Sequence, residues 1–157
     1  MKYQIREANL SDYQKIQPIH KEVHDLHVNG RPDKYKPSNN TLDFDYFKSL
    51  VYDNNSIVYI IESDGKIIAF TFLRKYEAAE RDTIVKNTYV FMEDFGVAGS
   101  FRGEGFGKLL FNKAIEFAKK IGAVSLELGV WEFNRQAIKF YEAMGMKTQA
   151  RKMEIEI

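Results

Sequence analysis

Between an apolar run that ends at Val97 and an amphipathic run that begins near Gly105, the chain reads Val97-Ala98-Gly99-Ser100-Phe101-Arg102-Gly103-Glu104-Gly105-Phe106-Gly107-Lys108. Glycines at alternate positions 103, 105 and 107 let the backbone approach a ligand with no Cβ in the way. The helix that follows leaves its first amides without intrahelical acceptors, and such amides favour an anion. Arg102 adds a planar cationic donor suited to phosphate oxygens. A strand–turn–helix unit that grips a pyrophosphate-bearing ligand is the physical inference. Lys108 stands where a G-x-G-x-x-G fingerprint needs its third glycine, which disfavours a dinucleotide fold. No Gly-Lys-Ser/Thr ending is present, which disfavours a P-loop. The plainer reading of the same residues is a turn that only caps a helix.

The rest of the chain limits what can surround this turn. Its 157 residues match the size of one domain, 1–157, with no repeat or linker to divide it. With no cysteine it has neither a disulfide framework nor a thiolate metal site. Lys plus Arg number 23 against 22 for Asp plus Glu, so the basic field that drives nucleic-acid binding is lacking. No apolar run approaches the ~18 residues of a membrane span. The start, MKYQIREANL, lacks a signal peptide's apolar stretch, and cytoplasm is the simplest expectation.

The apolar periodicity predicts the order β-α-α-β-β-β-α-β-α-β. A first strand falls at Lys2–Glu7. A helix, capped by Ser11 with Gln14, runs to about His27 and is kinked or split at Pro18. A loop spans Val28–Asn40, and Thr41 caps a second helix. Strands at Ser56–Glu62 and Lys66–Leu73 flank a hairpin turn at Ser63-Asp64-Gly65. A strand at Asn87–Val97 leads to a helix at Gly105–Ile121. Val124–Val130 is a strand, Arg135–Met144 a helix and Lys147–Ile157 a terminal strand. The fold class is α/β (α+β), a mixed, mostly antiparallel central sheet with helices on both faces.

Two blocks carry a family resemblance. Arg102-x-x-Gly105-x-Gly107 after a strand resembles the [R/Q]-x-x-G-x-[G/A] motif of GNAT acetyltransferases. The run from Asn134 to Met146 is similar to that family's N-x-x-A-x-x-[F/L]-Y-x-x-x-G-F block, with Met146 in place of the final aromatic. The resemblance implies a GNAT fold and acetyl-CoA as co-substrate, with no metal. It implies that the backbone of Phe95, Gly96 and Val97 pairs with the pantetheine arm. Arg102, Gly103, Gly105, Phe106, Gly107 and Lys108 would hold the pyrophosphate. Asn134, Ala137 and Tyr141 would face the cofactor, with Tyr141 as the acid for the departing thiolate. The competing reading of Tyr141 is packing on the apolar face of its helix.

Acetyl transfer needs a neutral amine, and an amine of pKa ~10.4 needs a base. Glu93 and Asp94 interrupt the apolar run Val90–Val97. Strict alternation puts them on opposite faces, with Glu93 beside Phe95 and Val97. Met92-Glu93-Asp94-Phe95 also resembles the corresponding strand of spermidine/spermine acetyltransferases. That likeness implies Glu93 as the base and Asp94 as an amine binder; structural acids paired with arginine are the alternative. His20, His24 and His27 share one helix face, without a metal-binding H-E-x-x-H pattern. In GNAT folds this helix borders the acceptor pocket, which implies a substrate-side place for these histidines, His27 among them. Trp131 and Phe133 read as packing residues.

The expected activity is transfer to a small-molecule primary amine such as a polyamine, by a chain that forms a homodimer. A protein N-terminal or lysine acetyltransferase is one alternative, and a non-catalytic acetyl-CoA sensor another.

Overall fold

The computed structural model describes residues 1–157. The elements are β1 (Gln4–Glu7), a 3-10 turn at Leu10–Asp12, α1 (Tyr13–Gly30), α2 (Phe44–Tyr52), β2 (Ser56–Ser63), β3 (Lys66–Glu77) and β4 (Thr88–Val97). A second 3-10 turn at Gly99–Phe101 leads to α3 (Phe106–Lys120), β5 (Ser125–Glu127) and α4 (Arg135–Ala143). The strands form one sheet in the order β1-β2-β3-β4-β5, antiparallel up to β4 and parallel between β4 and β5.

Alternation along β2 and β3 supplies a core on each face of the sheet. Val58, Ile60, Phe70 and Phe72 pack with Ile16 and Ile19 of α1 and Phe47 and Leu50 of α2. Tyr59, Ile61, Ile68 and Leu73 pack on the opposite face with Leu110, Phe111 and Ala114 of α3. The hairpin between β2 and β3 turns through Asp64 (φ 49°) and Gly65 (φ 74°), two left-handed residues that match the twist of the strands.

Several boundaries differ from the sequence expectation. The first capping box is Asn9 with Asp12, not Ser11 with Gln14, and Asp12 is buried in an ion pair with Arg6 (2.8 Å). The helix α1 is one element across Pro18 and reaches Gly30. Pro18 lies in its second turn, where its missing N–H removes a single bond while Ile16 and Ile19 stay buried. Asp43 rather than Thr41 caps α2, accepting from the Tyr46 amide at 2.9 Å.

Two corrections shape the site. In the pairing of β3 with β4, Phe72 sits opposite Asp94 and Leu73 opposite Met92, so Glu93 is an extra, bulged residue. The bulge cancels one step of the alternation. Val90 and Met92 lie in the core on the α3 face, Phe95 and Val97 pack against that same core, and Glu93 and Asp94 both turn toward α1 and α2. The expected placement of Glu93 beside Phe95 is thereby overturned. The expected strand at Lys147–Ile157 does not form either. That segment is exposed throughout and makes no backbone–backbone hydrogen bond. Only side chains tie it down, Gln149 to Glu127 at 2.6 Å and Glu154 to Arg31 at 2.8 Å.

Candidate functional site

The sheet opens where β4 and β5 part. Only Tyr89, Val90 and Phe91 of β4 pair with β5, although β4 continues to Val97. The edge from Met92 to Val97 that faces β5 is therefore unpaired, and the expected long strand at Val124–Val130 shortens to Ser125–Glu127. Gly96 is required for a different reason from the one its place in the turn region suggests. A Cβ there would lie 2.7 Å from Phe70 and 2.9 Å from Val23, so α1 can rest on β4 only at a glycine. On the open edge the Phe95 amide donates to Asp94 Oδ1 at 3.0 Å.

At the mouth of this opening lies the glycine-rich turn. Gly103 (φ 81°) and Gly105 (φ 91°) are left-handed, and open space lies where each would carry a Cβ. The left-handed residue Gly105 caps α3 and supplies no side-chain acceptor. The first amide to find an acceptor is that of Leu109, on the Gly105 carbonyl at 3.1 Å. The amides of residues 103–108 have no protein acceptor, a continuous donor run at the positive end of a helix. Arg102 is placed differently from the expectation of a phosphate donor. Its Nε donates to the Val97 carbonyl at 3.0 Å and its guanidinium lies 3.6 Å from Glu22, which in turn accepts from the Gly99 amide at 2.8 Å. Arg102 thus braces the turn whose amides stay free.

The first turn of α4 forms because Asn134 accepts from the Ala137 amide at 3.2 Å, which leaves the Asn134 side-chain NH2 free to donate. The helix α4 carries Phe140 and Tyr141 onto Phe95 of β4 and Phe111 of α3, with ring centroids 5.7–6.3 Å apart. Burial, and then the charge of Asp94, push the Tyr141 phenol up to about 12. Tyr141 therefore keeps its proton at neutral pH.

The two acids of the bulge differ in how far they are already bound. Glu93 accepts from Arg74 Nε at 2.9 Å, from Tyr76 Oη at 2.9 Å and from Tyr46 Oη. Arg74 also lies 3.4 Å from Asp53. Burial and the bond to Glu93 push both phenols above their ordinary range. The Glu93 carboxylate thus already holds three donors, one of them the Arg74 guanidinium, before any amine arrives. Asp94 has two partners, the Phe95 amide and His20, whose Nε2 is 2.9 Å from Asp94 Oδ2. His20 Nδ1 lies 2.8 Å from Thr41 Oγ1, which completes a chain Thr41–His20–Asp94 from the loop before α2 to the bulge.

The histidines do not act as one group. His24 Nε2 meets the Lys36 carbonyl at 2.7 Å. His27 Nδ1 meets the Val23 carbonyl at 2.7 Å, and its ring packs edge-on to Tyr35 and Phe133. Trp131 donates to Tyr35 Oη at 3.0 Å and carries Arg31 4.6 Å above its ring. His27, Trp131 and Phe133 together form an aromatic wall between the end of α1 and the start of α4. Sequence reading gave no site role to Thr41, Arg74, Tyr46 or Tyr76, and took His20 only as one of three histidines on a face bordering the acceptor pocket. The one available signal was the shared face of the three histidines.

A mixed sheet splayed between a bulged strand and a short parallel neighbour, with a donor-rich turn at its mouth, is a known architecture. The BH1408 protein of Bacillus halodurans, solved as a tetramutant, superposes with a TM-score of 0.95 over 98% of this chain and 99% of that one, at 30% identity. An aminoglycoside N-acetyltransferase, AAC(6')-Iy, solved with CoA, shares the fold with a TM-score of 0.78 over 99% of this chain and 95% of that one, at 17% identity. The family described as Acetyltransferase (GNAT) matches residues 19–146, and the chain belongs to that family. An uncharacterised N-acetyltransferase of Methanocaldococcus jannaschii is 34% identical over 102 residues, 65% of this chain and 44% of that protein. Streptothricin acetyltransferase A of Bacillus subtilis is 35% identical over 98 residues, 61% of this chain and 56% of that protein. The match thus spans about half the length of these two relatives.

Proposed function

We propose that this chain transfers the acetyl group of acetyl-CoA directly to the primary amine of a small molecule, polyamines included. The observation that carries the proposal is the run of unpartnered amides from 103 to 108, open to solvent around two left-handed glycines. Such a run fits a diphosphate, and the unpaired edge of β4 beside it fits an extended amide-bearing arm. Acetyl-CoA would supply the activated thioester. Phe95, Gly96 and Val97 would line its arm, Gly103 to Lys108 its diphosphate, and Asn134 and Ala137 the part nearest the reacting carbon.

Within that frame each side chain has one task. Tyr141, protonated across the physiological range, donates to the departing sulfur. Asp94 takes the proton of the attacking amine, and His20, anchored on Thr41, orients Asp94. Glu93, held by Arg74, Tyr46 and Tyr76, shapes the acceptor side instead of acting as the base. Without a cysteine the chain cannot form an acyl-cysteine, so the amine attacks the thioester directly.

Names among the relatives support a small acceptor. Besides the streptothricin enzyme they include a thialysine N-epsilon-acetyltransferase of Bos taurus, 33% identical over 60 residues, and an L-ornithine N5-acetyltransferase of Arabidopsis thaliana, 40% identical over 55 residues. Thiol release from acetyl-CoA, measured against polyamines, diamino acids, aminoglycosides and peptides, tests the proposal. Release with one small-amine class supports it. Release with peptides alone shifts the assignment to a protein acetyltransferase, and binding of coenzyme A without release on any amine makes the chain a sensor.

A further inference from the structure

The helix α1 makes two close contacts, one on each side of the opening between β4 and β5. Val23 rests on Gly96 of β4, where an added Cβ would lie 2.9 Å from Val23 Cγ2. Gly30, at i+7, is the last residue of the helix. A Cβ there would lie 2.3–2.4 Å from three atoms of the Phe133 ring. Non-bonded carbons keep about 3.5–4.0 Å apart, so the ring stands in the place of the missing side chain. Gly30 is not left-handed, and the contact uses its lack of a Cβ, not a special backbone shape. Residues seven apart share one helix face and stand roughly 10 Å apart along the axis. The helix α1 thus fixes the span from β4 to the chain that leads into α4.

That chain has few other ties. β5 has ended at Glu127, and α4 begins at Arg135. Residues 128–133 take part in only two backbone–backbone hydrogen bonds. The Asn134 amide donates to the Trp131 carbonyl at 3.0 Å and the Arg135 amide to the Phe133 carbonyl at 2.9 Å, and both are local. Side chains therefore set its place. Trp131 bonds Tyr35, which lies in the loop after α1, whereas Phe133 docks on α1 itself, against Gly30 and edge-on to His27 at 5.9 Å. At its far end α4 is held by Phe140 and Tyr141 on Phe95 and Phe111. At its near end Asn134 accepts from the Ala137 amide at 3.2 Å. A helix of 9 residues does not hold its first turn by propensity alone.

We propose that Phe133, seated on Gly30, is a positioning residue for acetyl transfer: it holds Asn134 and the first turn of α4 at the distance from β4 that α1 sets. This inference rests on the function proposed above, in which Asn134 lies near the reacting carbon. The turn at 103–108 lies outside this path, because Arg102 and Glu22 brace it. Loss of the Phe133 contact therefore separates transfer from cofactor grip.

Phe133→Ala should lower kcat up to about 10²-fold, the scale of a misplacement of about 1 Å, with coenzyme A affinity by calorimetry nearly unchanged. Phe133→Leu keeps an apolar side chain on Gly30 and should fall between that variant and the wild type, which serves if Phe133→Ala does not fold. Gly30→Ala puts a methyl in the place of the ring and should also lower kcat. The double variant Gly30→Ala with Phe133→Ala removes the conflict and should cost no more than the worse single change, since both report on one contact. Amide exchange gives a readout without turnover: Ala137 and Ile138, both bonded to Asn134, should exchange faster in the Phe133 variants. Wild-type kcat in either folded Phe133 variant overturns the proposal. So do losses that add in the double variant, coenzyme A affinity that falls in step with kcat, or unchanged exchange at Ala137. Absence of turnover in the wild type is instead a failure of the proposed function; faster exchange at Ala137 then still supports the anchoring, and unchanged exchange overturns it.

Discussion

His20 Nε2 lies 2.9 Å from Asp94 Oδ2, which joins the middle of α1 to the strand bulge at the edge of the opening. The His20 ring also packs near Phe70 and Phe72, at 5.8 and 6.2 Å between centroids. With Nδ1 on Thr41 the imidazole is held at both nitrogens and by its ring. Asp94 is in turn held by the Phe95 amide. A carboxylate fixed in this way is oriented before an amine arrives.

Asp94→Asn should lower kcat by about 10²–10⁴, the usual loss when a positioned base is removed. His20→Ala should lower it less, and His20→Asn, which retains a donor toward Asp94, should recover part of that loss. Coenzyme A affinity, followed by calorimetry, should stay nearly unchanged in all three. Wild-type turnover in Asp94→Asn would remove the assignment.

Glu93 gives the contrasting case. Replacing it by Gln leaves Arg74 facing a neutral amide and disturbs two phenols, in a side chain only 16% exposed. The expected loss is about 1–3 kcal/mol of unfolding free energy. The transfer step itself should change less than about tenfold, well below the roughly 10²–10⁴ that removing a base costs. Urea unfolding and initial rates on the same preparation check both halves.

That contrast also shows where the sequence was legible. The turn from Val97 to Lys108 could be read because positive φ and an uncapped helix start are demands on particular backbone positions, and only glycine meets them cheaply. The succession of elements as far as α4 and a sheet covered on both faces followed from periodicity for the same local reason. The bulge at Glu93 is not local. It depends on how β3 and β4 settle into register around Phe72 and Leu73, and one inserted residue reverses every inference drawn from alternation. His20 was equally hidden, because its partners come from a loop and a strand far along the chain. The alternation at the C-terminal end was legible as a pattern, but no strand within the chain pairs with it.

Gly105 separates cofactor grip from folding. At φ 91°, with open space where a methyl would project, Gly105→Ala meets no clash but must hold a left-handed backbone, at a cost of about 1–3 kcal/mol. Any relaxation of that strain turns the amides of Gly105 and Phe106 away from the diphosphate. Coenzyme A should bind at least about tenfold more weakly, which corresponds to ~1.4 kcal/mol. Gly122→Ala has the same sign of φ and the same open surroundings but lies at the far end of α3. It should lose comparable stability and no affinity. Equal affinity loss in both variants would mean that the turn is not where the diphosphate sits.

Tyr141 supplies a pH dependence with a definite sign. Its phenol is raised from 10.0 to about 12, first by burial and then by Asp94. The folded state therefore holds the proton more tightly than the unfolded state, whose phenol ionises near its ordinary pKa. Below pH 10 both states are protonated and this group adds no pH dependence; between 10 and 12 only the unfolded chain ionises, and stability falls as pH rises. The full difference is on the order of 3 kcal/mol. Tyr141→Phe removes the ionising group, so its stability should fall less than that of the wild type as pH rises from 10.0 to about 12. Tyr46, Tyr59 and Tyr76 are raised as well and are common to both proteins, so the difference isolates Tyr141. The same substitution should lower kcat about 10²–10⁴ at neutral pH while coenzyme A affinity holds. A variant with unaltered turnover would return Tyr141 to a packing role on α4, even if its alkaline stability shifted as expected.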